Sequence, residues 1–144
     1  MIAIDTNVLL RYLLQDDNQQ SPKANRLIGG KKQVLVTDIV LAETVWTLKG
    51  RKYKLTINDL LFVVEQLFKE PNIVFEDGQT VWRALHDTRS AEPIKVGSKT
   101  KDADFADALI LEKAKYDCDR KDEKFDGLFS FDVAAQQIDG IKKP

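Results

Sequence analysis

The chain begins with an unbroken apolar run, Met1-Ile2-Ala3-Ile4, and stops on a carboxylate, Asp5. A strand this short and this apolar has little room for a polar face. It belongs in a parallel sheet covered on both sides. Similar segments recur at Val34-Leu35-Val36, Ile73-Val74-Phe75 and Leu128-Phe129-Ser130-Phe131, separated by helix-like stretches. Strands alternating with helices predict an α/β chain, a parallel sheet with flanking helices. In open sheets of this class, ligands bind beyond the carboxyl ends of the strands. Asp5 stands at such an end, where chemistry is usually placed.

The punctuation between strands sets the helices. Thr6 is expected to cap a first helix over 7–15. Ser21-Pro22 reads as N-cap and first residue of a second helix, stopped by Gly29-Gly30. Thr37 or Asp38 caps a third helix whose apolar content is Ile39, Val40, Leu41, Val45, Trp46 and Leu48, ending at Gly50. Thr56 and Asp59 have capping-box spacing at the start of a fourth helix, and Pro71 follows its end. Asp77 opens a fifth helix with Val81, Trp82 and Leu85. The polar stretch 88–101 is expected to be a loop, 103–116 a sixth helix, and 117–124 a solvated turn. A short helix over 133–137 and an edge strand near Ile141 complete the chain.

With 144 residues, no repeats and no long linker, the sequence reads as one domain over 1–144. A net charge of −1 excludes a strongly cationic, histone-like binder, but not an enzyme acting on nucleic acid, because local patches matter more than the sum. Cys118 is the only cysteine, which excludes an internal disulfide and a cysteine-based zinc site. No secretory signal and no membrane-length apolar run is visible, so a cytoplasmic location without membrane contact is expected.

Several acids have positions that invite convergence: Asp5 at the first strand end, Glu43 in the third helix, Asp104 and Asp107 at the start of the sixth, and Asp132 after the fourth strand. Asp104 and Asp107 are three apart and share a helical face. Two carboxylates about 5 Å apart repel by roughly 3 kcal/mol at an effective dielectric of about 20. A hard divalent cation such as Mg²⁺ or Mn²⁺ removes that cost and can polarise a phosphoryl oxygen. Against this stands the ordinary use of acids as helix caps, to which Asp77 and Asp102 are assigned.

Four segments carry a resemblance. Met1-Ile2-Ala3-Ile4-Asp5-Thr6-Asn7-Val8-Leu9-Leu10-Arg11 resembles the opening motif of PIN-domain nucleases, and Leu41-Ala42-Glu43-Thr44-Val45-Trp46 the second. Asp104-Phe105-Ala106-Asp107-Ala108-Leu109-Ile110 is similar to the third, and Ser130-Phe131-Asp132 to the fourth. Length and motif order also resemble the VapC-type toxins of toxin–antitoxin pairs. The resemblance implies a three-layer α/β/α fold and a Mg²⁺- or Mn²⁺-dependent endoribonuclease. On that basis Asp5, Glu43 and Asp107 match the metal-binding acids, with Asp104 or Asp132 as the additional one. Thr6, Asn7 and Ser130 match supporting positions that orient a carboxylate or water. The charged insert at 117–124 is long for the family.

Among basic residues, Arg11 and the cluster holding Arg51 and Lys52 border the helices that carry the acids and are candidates for RNA contact; Lys99 and Lys101 are weaker ones. No aromatic-rich RNA-binding signature is evident. His86 is the only histidine, so a two-histidine ribonuclease mechanism is not available. The fourth helix is apolar around most of its circumference at Leu60-Leu61-Phe62-Val63-Val64. The resemblance implies a homodimer and a cognate antitoxin protein as its cover, with no direct DNA binding expected. Two rivals remain. A haloacid-dehalogenase-type phosphatase usually wants a second Asp where Asn7 stands. A catalytically silent PIN-like scaffold would have little need of so many acids.

Overall fold

Strand β1 (Ile2–Ala3) pairs in parallel with β2 (Val34–Val36), which pairs in parallel with β3 (Ile73–Phe75). Ile2 lies opposite Val34, and Val36 opposite Phe75. Four helices accompany this sheet: α1 (Thr6–Leu14), α2 (Gln20–Ile28), α3 (Asp38–Lys49) and α4 (Ile57–Lys69). The α/β class and the parallel sheet are those read from the sequence. The computed structural model describes residues 1–144 in two compact units, Met1–Gly78 and Gln79–Pro144.

In the first unit Leu9, Val34, Val36, Leu41, Leu48, Leu60, Val64 and Leu67 are buried. Burying such side chains contributes roughly 1.5–3 kcal/mol each before conformational entropy is counted. The Phe68 and Phe75 rings meet at 4.5 Å between centroids, tying α4 to the end of β3. The capping box of α4 is complete: the Thr56 hydroxyl accepts from the Asp59 amide, and Asp59 accepts from the Thr56 amide.

Two helix starts differ from expectation. Asp5, not Thr6, caps α1: its backbone is extended and its Oδ1 accepts from the Val8 amide at 2.9 Å. Thr6 becomes the first helical residue, which frees its hydroxyl for a distant partner. The second helix begins at Gln20, so Ser21 and Pro22 lie inside its first turn. The reason is Asp17, whose Oδ1 accepts from the amides of Gln19 and Gln20 and whose carbonyl accepts from the Ser21 amide, so the chain turns into the helix before Ser21 is reached. Pro22 is tolerated because first-turn amides have no intrahelical acceptor. Ser21 donates to the Arg11 carbonyl at 2.9 Å.

The second unit holds most of α5 (Gly78–Ser90), a hairpin of β4 (Ile94–Val96) and β5 (Lys99–Lys101), α6 (Phe105–Arg120), and β6 (Leu128–Phe129) paired in parallel with β7 (Ile141–Lys142). The hairpin replaces the expected loop. Its turn is Gly97-Ser98, with Gly97 at φ 65°, the left-handed conformation a two-residue hairpin wants at its first central position. Helix α6 runs into the expected solvated turn, where Asp117 pairs with Arg120 and Lys121 along its last turn. The fourth strand is shorter than expected, and the short helix is a single 3-10 turn, Ala135–Gln137.

One buried charge group stands out in this unit. Glu112 on α6 is only 5% exposed; its Oε1 accepts from Lys115 Nζ at 2.7 Å. Asp87 on α5 shares a carboxyl hydrogen bond with Glu112. Burial, and then that bond, push Asp87 up to about 6.

Candidate active site

The carboxyl edge of the three-stranded sheet collects polar groups. Asp5 follows β1, Thr37 and Asp38 follow β2, and Glu76 follows β3. Glu76 Oε2 accepts from the Asp38 amide at 2.9 Å, placing an anion at the start of α3, where the helix dipole favours it. Sequence reasoning missed Glu76, because the role depends on the parallel register of β2 and β3.

Glu43 lies near the middle of α3 and is exposed. Its Oε2 accepts from Thr6 Oγ1 at 2.5 Å, a contact spanning 37 residues of chain. That bond joins the residue after Asp5 to the acid expected to act with it. An open cleft of about 720 Å³ runs past Thr6, Asn7, Glu43, Trp46, Thr47, Lys49 and Gly50. A smaller one, about 330 Å³, is lined by Asp5, Asn7 and Arg11 among others. Asn7 lines both, and so borders the cleft that holds Asp5 and the one that holds Glu43.

Helix α3 turns Leu41, Thr44, Val45 and Leu48 inward, and Ile39, Glu43, Trp46 and Thr47 to solvent. Trp46 and Ile39, counted above as apolar helix content, are thus surface residues; Trp46 is 72% exposed. The spacing carried this signal, since 43, 46 and 50 fall on the face opposite 41, 44, 45 and 48.

Arg11 is committed to structure. Its Nη1 donates to Asp16 at 2.7 Å and its Nε to Gln20 at 3.0 Å, holding the α1–α2 connection. Arg51 and Lys52 are exposed in the turn after α3, with Lys52 Nζ 5.1 Å from the centre of the Tyr53 ring.

In the second unit Asp104 caps α6, its Oδ1 accepting from the Ala106 amide at 3.3 Å, and Asp107 follows in the first turn. Asp132 Oδ1 accepts from the Ala134 amide at 2.8 Å, and Lys101 Nζ lies 3.4 Å from each of its carboxylate oxygens. The Ala134 amide, and then Lys101, hold its carboxyl below the usual carboxylate range. Ser130 Oγ accepts from the Asp132 amide at 3.1 Å, so Ser130 shapes the turn that presents Asp132. Lys101 is thereby a partner of Asp132, and its charge is already engaged. In neither unit do three or more Asp, Glu, His or Cys side chains stand close enough to hold a metal among themselves.

The donor set suits a hard divalent cation. Asp5 spends Oδ1 on the Val8 amide, and Glu43 spends Oε2 on Thr6, which leaves each acid a second oxygen for a cation. All these donor atoms are oxygens, the type Mg²⁺ and Mn²⁺ prefer.

The family model for the PIN domain matches residues 2–140 of the chain. The chain belongs to the PIN domain family. PIN domains are generally nucleases and typically use divalent metals, and the motifs quoted above all fall inside the matched span. No curated protein is similar enough to this PIN domain to count as a match. No helix of this PIN domain is long and apolar enough to cross a membrane.

Proposed function

We propose that this PIN domain is a Mg²⁺- or Mn²⁺-dependent endoribonuclease, with Asp5, Glu43 and Asp107 as the metal-binding acids. The observation that carries the reading is the Thr6–Glu43 hydrogen bond beside the Asp5 cap, at the carboxyl edge of a parallel sheet. Asp5 is held by the α1 amide of Val8 and Glu43 by Thr6, so both acids are oriented before any ligand arrives. Asn7, between the two clefts, offers an amide to a phosphate oxygen or a water. Asp104 or Asp132 supplies the additional acid: the first is fixed as a helix cap, the second by Ser130, Ala134 and Lys101. A bound divalent cation supplies neutralisation of phosphate charge and a more acidic water.

The test is incubation of the purified protein with total cellular RNA and Mg²⁺ or Mn²⁺, followed by mapping of new ends. Cleavage that is lost in Asp5→Asn, Glu43→Gln and Asp107→Asn supports the reading. Turnover of a small phosphomonoester without RNA cleavage favours the phosphatase, and neither activity with tight partner binding favours the scaffold.

The resemblance to VapC-type toxins extends the proposal to a toxin held by a cognate antitoxin, in a cytoplasmic homodimer. Phe62 supports a covered face on α4: Leu60, Leu61, Val64 and Leu67 are buried, while Phe62 is 60% exposed. Sedimentation of the protein alone tests the dimer, and Phe62→Lys should shift it to monomer.

A further inference from the structure

We propose that Trp46 is a stacking platform for an unpaired base of the RNA, seated next to Glu43 on the outer face of α3. The proposal rests on the nuclease reading of this site and adds the side chain that seats a base beside it. Residues three apart on a helix are neighbours, with Cβ atoms on the order of 5–6 Å apart. A nucleotide whose phosphate is handled at Glu43 therefore brings a base within reach of the indole.

Three observations favour a base over other occupants. Trp46 lies in the same open cleft as Thr6, Asn7 and Glu43, so the ring and the candidate chemistry share one solvent-filled space. A large aromatic ring left 72% exposed offers a flat π-face, and within the cleft its neighbours are Thr6, Asn7, Glu43, Thr47 and Lys49. Directly after it come Lys49, Arg51, Lys52 and Lys54, a run of positive charge at the end of the same helix. Aromatic faces beside a basic track are how single strands are held without base-pair readout. Duplex bases are already stacked on one another, so the platform selects RNA whose bases are splayed out.

Trp46 and Trp82 are the two tryptophans of the chain, so a Trp82→Phe background makes Trp46 the sole indole emitter. Single-stranded oligoadenylate is titrated into this protein in metal-free buffer, alongside the same strand annealed to its complement. Saturable quenching by the single strand and weak quenching by the duplex are expected. In the otherwise native chain, Trp46→Ala should weaken binding of a labelled oligoadenylate roughly 10-fold or more, and Trp46→Phe should stay within about 3-fold. Equal binding by Trp46→Ala, or equal quenching by duplex, overturns the proposal. So does quenching that follows protein concentration without RNA, which would mean a second copy covers this face. Absence of RNA cleavage with Trp46 quenching intact removes the nuclease reading and leaves the base site standing. Cleavage with unchanged Trp46→Ala kinetics removes the base site alone.

Discussion

The Thr6 hydroxyl donates to the Glu43 carboxylate at 2.5 Å, tying the first turn of α1 to the middle of α3. A charged acceptor makes this one of the stronger side-chain contacts in the first unit. Glu43 is proposed above as a metal-binding acid, and hydrogen-bond partners of metal-ligating carboxylates typically contribute about 10–100-fold in metal affinity. Thr6→Val should therefore raise the Mn²⁺ dissociation constant by roughly 10-fold, with Thr6→Ser close to the native value. Titration calorimetry reads both, and an unchanged constant in Thr6→Val would leave the bond a purely structural tie.

Asp87 gives a pH dependence whose sign can be worked out. Its native carboxyl is raised from 3.8 to about 6 by burial and by the bond to Glu112, so the folded state holds this proton more tightly than the unfolded chain. The stability it contributes is full below about pH 4 and is lost as the pH rises through about 6. Lys115 and His86 oppose the shift. Asp87→Asn keeps a donor toward Glu112 at every pH. It should raise the melting temperature by a few degrees near pH 7.5, an effect of about 1 kcal/mol after solvent screening. The gain should shrink as the pH falls and vanish below about pH 4, and a gain independent of pH would rule out the shared proton.

The α4 capping box predicts a conventional loss. Thr56→Ala leaves the Asp59 amide without its acceptor. It should cost about 1 kcal/mol in urea unfolding. Thr56→Ser should restore most of it.

Gly97 sits at φ 65° with nothing within 4 Å of where a Cβ would stand. Any cost of Gly97→Ala is thus backbone strain rather than collision, about 1 kcal/mol. Faster amide exchange confined to β4 and β5, with the global melting temperature nearly unchanged, is the expected signature.

Much of this architecture is local and was therefore legible. The apolar triplets at 34–36 and 73–75, the Thr37 and Thr56 caps and the Gly29 and Gly50 stops are set by neighbouring residues, and they stand where the pattern put them. The hairpin at Gly97-Ser98 has a two-residue turn signal too, but it sits inside a polar stretch whose composition alone predicts a loop.

The acids themselves, Asp5, Glu43, Asp104, Asp107 and Asp132, are visible in the sequence because carboxylates at strand ends and helix starts follow from element boundaries. What each one touches is not. Asp5 caps α1, and the Thr6 hydroxyl that the cap leaves free finds its partner, Glu43, 37 residues away. The commitment of Arg11 to Asp16 and Gln20, the pairing of Lys101 with Asp132 and the outward turn of Trp46 have the same origin. Periodicity dictates which residues share a face. Only the packed chain decides which face meets a neighbour, because burial and long-range hydrogen bonds depend on segments that sequence order does not bring together.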